Sequence, residues 1–148
     1  MKLLVITIGV VLCIVLIAGV YQWIVRGRPG VTRDISVNGH VFSVEIADTM
    51  IAQARGLSGR ASLADDAGML FLFSSPANRG FWMRGMNFPL DIIWINGTTI
   101  IGISDNLPPA SIMNPRVYYP PEPADKVLEI NAGLSAKLGI AVGDTIQL

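Results

Sequence analysis

The feature that most constrains this chain is an uncharged, apolar run near its amino terminus. Residues 3–25 (LLVITIGVVLCIVLIAGVYQWIV) contain no Asp, Glu, Lys or Arg. As a helix, this run spans about 34 Å, whereas the hydrocarbon core of a bilayer is about 30 Å thick. Tyr21 and Trp23 fall where an interfacial aromatic belt is expected, and Arg26 follows them. The run therefore predicts one transmembrane helix, with residues 1–28 forming an anchor and tether.

A cleaved signal peptide is the competing interpretation, because Lys2 gives a short basic region ahead of the run. The run is longer than the usual signal-peptide core of about 7–15 residues, and Ala18-Gly19-Val20 is a poor cleavage site. An uncleaved, single-pass anchor is therefore favoured. Positive charges on the two sides of the run differ by one, and this count alone would place the following domain in the cytoplasm.

Residues 29–148 have the size of one globular domain, and their composition argues against several kinds of site. They contain eight Lys or Arg and eleven Asp or Glu, a net charge of about −3 with no basic stripe, so we expect no nucleic-acid partner. Cys13 is the only cysteine and lies in the apolar run, and His40 is the only histidine. Because the usual ligands are missing, we predict no metal site and no cofactor.

Turn residues and apolar periodicity predict a mostly β domain. Asn38-Gly39 fits a type I′ hairpin turn within residues 35–46, and Asp48 or Thr49 can cap a helix that runs to Arg55. Further strands are predicted at residues 67–73, 80–84, 90–95, 98–104, 126–131 and 145–148, a second short helix at 134–138, and a Pro-rich loop at 105–123. The expected fold is α+β and mostly β: a compact single domain with a mixed or antiparallel, barrel-like sheet and two short helices.

Two acidic residues interrupt strands that are predicted to be buried. Asp91 lies in LDIIWI, and Glu129 lies in VLEI. A carboxylate that is ionised and buried without a partner costs several kcal/mol, so each needs an arginine, a set of N–H donors or a polar cavity. Alternation along residues 80–84 places Trp82 and Arg84 on one face of a strand. Arg84 bound to either acid, beside Trp82, would form a structural ion pair or a ligand site.

A series of short blocks carries a family resemblance. These blocks are VEIADT at 44–49, GMLFLF at 68–73, FWMRGMNFPLDI at 81–92, NLPP at 106–109 and VLEINAG at 127–133, with Gly56-Leu57, Tyr119-Pro120 and Gly143-Asp144. Over residues 41–146 the chain resembles the bacterial and archaeal domain-of-unknown-function family 192, departing from it at Lys126, where an aromatic residue is more usual. The resemblance implies a compact, mostly β domain behind a signal or anchor segment, and hence an extracytoplasmic location. It implies no reaction.

These observations support two classes of function and a structural alternative. Because no His, Cys or Ser constellation is present, we favour a non-enzymatic module that binds a small molecule or a protein partner near the bilayer. Its groove would lie between residues 81–91, the Pro-rich loop and residues 129–131. The candidate ligand-binding residues are Trp82, Arg84, Asp91, Asn106, Tyr119, Glu129 and Asn131. The alternatives are a hydrolase or lyase, with Asp91 or Glu129 as general base and Arg84 as anion holder, and a purely structural domain.

The predicted anchor can be tested by fractionation. We expect the full chain to stay in the membrane fraction through high-salt and alkaline carbonate washes, because an uncharged, mostly apolar run of 23 residues buries a whole helix in lipid. A variant that begins at residue 30 should be recovered in the soluble fraction. Release of the full chain by carbonate, or a mature amino terminus mapped beyond residue 20, would contradict the prediction.

Overall fold

The structure, a computed structural model, describes residues 14–17, 31–111, 113 and 116–148. Residues 14–17 are helical and exposed, and the remainder of the helix predicted at 3–25 lies outside the described residues. Within the described part of the chain, no helix is long and apolar enough to cross a membrane. The described residues from position 31 onward form one mostly β unit.

Nine strands and two short helices build the described part of this unit. They are β1 (Thr32–Val37), β2 (His40–Ala47), α1 (Met50–Arg55), β3 (Ala67–Ala77), β4 (Phe81–Trp82), β5 (Leu90–Asn96), β6 (Thr99–Leu107), β7 (Val117–Tyr118), β8 (Ala124–Asn131), α2 (Leu134–Lys137) and β9 (Ile146–Gln147). Seven strands form one sheet in the order β6-β5-β8-β3-β2-β1-β9, and β4 pairs with β7. Because β2 and β3 are parallel and the other pairs are antiparallel, the sheet is mixed. The predicted mostly β fold with a mixed sheet is confirmed.

The sheet curls into a half-barrel until its two edge strands meet. Beside β6, the Ile100 N–H donates to the Asp144 carbonyl at 2.9 Å, and the Ile146 N–H of β9 donates to the Thr98 carbonyl at 2.8 Å. Thr99 and Thr145 form an antiparallel bridge at the same place. This closure satisfies backbone groups that an open edge would leave unpaired.

Each face of the curled sheet buries its own hydrophobic core. Side chains alternate between the faces, so Leu128 of β8 joins one core and its neighbour Val127 joins the other. The first core is completed by Leu134 of α2. The second core includes Phe71 of β3 and is covered by residues that follow α1 and β4, among them Leu57 and Met83.

Local sequence signals set the position of α1. The Thr49 hydroxyl accepts a hydrogen bond from the Ala52 N–H at 3.2 Å, and Gly56 ends the helix with φ of 52°. The predicted cap and stop are therefore confirmed, with Thr49 as the capping residue. Because β2 and β3 are parallel, their connection must cross over, and α1 lies in it. The Gln53 amide then ties α1 to β3 through the Leu72 carbonyl, at 2.7 Å.

Two predicted boundaries differ from the structure for a tertiary reason. The strand expected at 80–84 is limited to Phe81–Trp82. After Trp82 the chain no longer pairs with β7, and the Met83 carbonyl accepts a hydrogen bond from the Ala110 N–H instead. The loop expected at 105–123 starts later, because β6 continues to Leu107, and it contains β7. The pairing of β4 with β7 is a long-range contact that local periodicity does not reveal.

Candidate functional site

Asp91 is fully buried, and N–H and O–H donors satisfy its carboxylate. One oxygen accepts from the backbone N–H groups of Asn106 (2.8 Å) and Gly133 (3.0 Å). The other accepts from the Ser135 N–H (2.9 Å) and the Ser135 hydroxyl (2.6 Å). No side chain at the N-cap position of α2 caps this helix. Asp91 of β5 caps it instead, by accepting from the N–H groups of Gly133 and Ser135. Asp91 therefore has a structural role, and the donor-set alternative for it is confirmed.

Arg84 does not pair with either buried acid, which corrects the predicted ion pair. Its side chain is exposed, and the ion pairs among the described residues join Arg60 to Glu45 and Lys126 to Asp125. Trp82 is 47% exposed on the same side, whereas Phe81 and Met83 point inward. Alternation along the strand was predicted correctly, but the pattern does not state which face is buried.

Glu129 lies on the opposite face of the sheet from Asp91. In the register of β5 and β8, Glu129 is opposite Ile92, and Asp91 is opposite Ile130. Glu129 is 5% exposed, and the ion pairs among the described residues do not involve its carboxyl group. No fully enclosed side-chain N or O atom of these residues lacks a hydrogen bond, so the Glu129 oxygens are open to the cavity that they line. The two acids therefore cannot share one cation or act on one bound molecule, and they do not form a catalytic pair.

The Glu129 carboxylate faces a cavity of about 220 Å³ between α1 and the sheet. The cavity is lined by residues 53–58 at the end of α1, by Phe71 and Phe73 of β3, by residues 79–82 and by Met86. The Phe81 ring packs edge-to-face against Phe71, with centroids 4.9 Å apart, and against Trp94 at 5.5 Å. These walls are mostly apolar, so polar groups are few and their placement determines what the cavity can accept.

Two arginines line the same cavity. The Arg79 guanidinium lies 4.1 Å from the Phe73 ring centroid and donates to the carbonyls of Ser75 and Ala124 at 2.9 and 3.3 Å. The Arg55 side chain, in the last turn of α1, has no partner among the described residues and is half-buried. The cavity therefore combines a buried acid with two cationic groups, and Arg55 keeps its donors available.

Burial raises the pKa of Glu129 to about 8. The cause is desolvation, since an ionised carboxylate is disfavoured in an apolar surrounding when no cation or donor compensates it. At neutral pH the group is therefore a neutral carboxylic acid. It can donate a hydrogen bond into the cavity, or it can lose its proton to solvent when a positively charged group binds beside it.

The structure separates the seven residues that the sequence selected. Trp82 and Glu129 line the cavity. Asn106 donates its backbone N–H to Asp91, and the Asn131 amide holds the Leu63 carbonyl at 2.9 Å. The described position of Tyr119 is 61% exposed and outside the cavity lining. Arg84, Asp91, Asn106, Tyr119 and Asn131 do not line the cavity, so this cavity is not the groove expected along the Pro-rich loop.

Sequence reasoning missed Arg55 and Arg79. Arg55 immediately precedes the helix stop at Gly56, and it reads as an ordinary basic residue in the last turn of a helix. The crossover between β2 and β3 brings this turn over the sheet, a contact that no local pattern encodes. The one usable signal was the unusual acid in VLEI, which requires a partner or a cavity somewhere in the fold.

The different roles of Asp91 and Arg84 predict different effects on stability. Asp91→Asn should lower the free energy of unfolding by about 3 kcal/mol, because one acceptor oxygen is replaced by a donor that faces N–H groups. Arg84→Met should change it by less than about 0.5 kcal/mol, since the side chain is exposed. Denaturant titration measures both values. A cost for Arg84→Met comparable to that of Asp91→Asn would restore the ion pair.

The raised pKa of Glu129 predicts how stability depends on pH. The folded protein keeps this proton up to about pH 8, whereas the unfolded chain releases it near the ordinary value of 4.5. The unfolded state therefore binds fewer protons between these values, and the free energy of unfolding falls as pH rises, by up to about 1.4 kcal/mol per pH unit. Glu129→Gln should remove this fall.

The matched control for this measurement is Glu122→Gln, which makes the same chemical change at an exposed position. Its pH profile should follow that of the unsubstituted protein. A profile of Glu129→Gln that ran parallel to that of Glu122→Gln from about pH 5 to pH 8 would show that Glu129 is ionised in the folded state.

Comparison with known proteins supports the fold and identifies the family. The model of the DUF192 family, described as an uncharacterized ACR, matches residues 33–148. A protein of unknown function from Novosphingobium aromaticivorans is 38% identical, with a TM-score of 0.71 over 79% of this chain and 85% of that chain. A Sinorhizobium meliloti protein described as a "putative transcription regulator" is 31% identical, with a TM-score of 0.76 over 82% of this chain and 96% of that chain. A search of curated proteins gave no match. The chain therefore belongs to the DUF192 family.

Proposed function

We propose that the protein is a small-molecule binding module whose ligand occupies the cavity beside Glu129. The observation that carries the proposal is a carboxyl group that is 5% exposed, has no partner among the described residues and faces an open space. In a folded protein such a group is costly unless something else satisfies it. A bound molecule with a complementary polar group would do so.

The dimensions and walls of the cavity favour a compact, partly apolar ligand. Its volume of about 220 Å³ is below the range of about 300–1,000 Å³ that is typical of pockets for drug-sized ligands. Phe71, Phe73, Phe81 and Met86 offer apolar and aromatic surface. A molecule with a single ring or a short branched chain matches this space better than a nucleotide does.

The half-buried Arg55 favours a ligand that also carries an acidic group. A guanidinium presents several N–H donors in a fixed plane and binds carboxylate or phosphate in two-point contacts. Arg79 adds a second positive charge, although two backbone carbonyls already accept from it. We therefore assign the anionic end of the ligand to Arg55.

The two other hypotheses have weaker support. A purely structural domain would be more stable with an apolar residue at position 129, because the unpartnered acid disfavours folding near neutral pH. A hydrolase or lyase has one observation in its favour, since a carboxyl group with a pKa of about 8 is suited to proton transfer at neutral pH. However, Asp91 is enclosed by donors on the other face and Arg84 lies outside the cavity, so the catalytic set first considered is not assembled.

We do not extend transcriptional regulation to this protein from the Sinorhizobium meliloti relative. Residues 29–148 carry a net charge of about −3. Sequence-independent attraction to nucleic acid depends on a surface rich in Lys and Arg, which the composition does not supply. A ligand-binding role is compatible with this charge.

We propose that this module stands next to a membrane, on its extracytoplasmic side. The proposal is supported by the apolar run at residues 3–25 and by the expectation that family members follow a signal or anchor segment. The short tether before residue 31 would keep the cavity within a small distance of the lipid surface.

Binding can be tested with 3-phenylpropanoate, a single-ring carboxylate, and the full chain labelled with ¹³C in its methionine methyl groups. The Met86 methyl lines the cavity, whereas Met113 is 92% exposed and outside it. We expect the Met86 signal to shift saturably and the Met113 signal to stay in place. Arg55→Met should weaken binding about tenfold, as expected for loss of one charge-assisted hydrogen bond.

Arg84→Met is the matched control, because it removes an arginine that does not line the cavity. It should leave the affinity for 3-phenylpropanoate within about twofold of the unsubstituted value. A Met86 signal that stays unmoved by single-ring acids with and without an ammonium group, or equal loss of affinity in the two variants, would rule out this site.

A further inference from the structure

Glu129 and Arg55 line the same cavity without forming an ion pair, and this arrangement indicates the class of ligand. We infer that the cavity takes a zwitterion with an apolar body, its ammonium group on the Glu129 carboxylate and its acidic group on Arg55. This inference rests on the proposed function and adds the class of ligand to it. It depends on where the two charged side chains lie relative to each other and to the aromatic walls.

Glu129 and Arg55 line the same cavity but do not bind each other. The ion pairs among the described residues involve neither of them, although a direct contact would satisfy both. An acid that can ionise and a guanidinium that face one space without meeting leave room for a molecule that carries an ammonium and an acidic group. A purely anionic ligand would make no ionic contact with Glu129, which would keep its proton, and a purely cationic ligand would add positive charge to a cavity lined by Arg55 and Arg79.

The glycine at the end of α1 opens the space directly above the acid. A methyl group placed on Gly56 would lie 3.5 Å from Cζ of Phe71 and 3.9 Å from Oε2 of Glu129. The edge of an aromatic ring and the carboxyl oxygen therefore border the same point. An ammonium group near this point would lie beside the carboxyl oxygen of Glu129, within the apolar wall that Phe71 forms.

The number of protons released on binding depends on the protonation of Glu129 in the cavity without a ligand. Without a ligand, Glu129 is a neutral acid at neutral pH, because burial raises its pKa to about 8. When an ammonium group binds, the carboxyl group loses its proton to solvent and becomes the counter-charge. The ionisable groups facing Glu129 across the cavity are Arg55 and Arg79, while its strand neighbours Met69 and Ile92 carry none. Beyond Met69, Glu45 is held by Arg60. Binding should therefore release up to one proton below about pH 8.

Three molecules with the same benzene ring test the inference on the full chain. L-Phenylalanine carries both charges, 3-phenylpropanoate lacks the ammonium group and 2-phenylethylamine lacks the carboxylate. We expect L-phenylalanine to bind at least about tenfold more tightly than either of the others, which corresponds to one additional charge-assisted contact. Titration calorimetry at pH 7 in two buffers of different ionisation enthalpy counts the protons released.

Variants of the acid separate its role from general effects on the fold. Glu129→Gln should abolish proton release and remove the preference for L-phenylalanine over 3-phenylpropanoate. Glu122→Gln, an exposed change of the same kind, should keep both. If 3-phenylpropanoate shifts the Met86 methyl but binds as tightly as L-phenylalanine, or if L-phenylalanine binds without proton release, the zwitterion is refuted and the binding site stands. If none of the three shifts the Met86 methyl, both proposals fail.

Discussion

The Asp91 carboxylate connects β5 to the end of β6 and to the start of α2. It lies in β5, yet its partners are the N–H of Asn106 at the end of β6 and the N–H groups of Gly133 and Ser135 at the start of α2. One side chain thus holds the end of the edge strand β6 and also holds α2, whose Leu134 completes the first core. In a low-dielectric interior the hydrogen bonds of such a network strengthen one another, and a buried polar group left unpaired is costly.

Glu129 presents the same physical problem on the other face, with a different solution. Both acids are buried in neighbouring strands, but one is surrounded by donors and the other by aromatic and aliphatic side chains. Asp91 therefore stabilises the fold through the hydrogen bonds that it accepts, whereas burial raises the pKa of Glu129. The buried donor network and the cavity therefore lie on opposite sides of one sheet, so a change in the cavity need not disturb the core that contains Leu134.

Much of the fold could be predicted because its signals are local. Asn38-Gly39 adopts the left-handed backbone that its turn requires, Thr49 caps α1 and Gly56 ends it. The site was predicted only in part, since Glu129 and Trp82 were selected but Arg55 and Arg79 were not. The crossover between parallel strands positions Arg55, and the segment between β3 and β4 positions Arg79. The error with Arg84 arose because alternation gives relative faces without saying which one is covered. Long-range topology supplies both missing facts.

The donors around Asp91 have a consequence for how this sequence can diverge. Three of the four hydrogen bonds come from main-chain N–H groups, which every residue except proline provides. The positions of this network therefore tolerate substitution to different degrees. Position 91 requires its carboxylate, whereas the surrounding positions are limited chiefly by their backbone conformation. Asn106 and Gly133 have φ of 51° and 79°, so small or amide side chains suit them best. A lineage could thus change most of this neighbourhood and keep the fold through one acid.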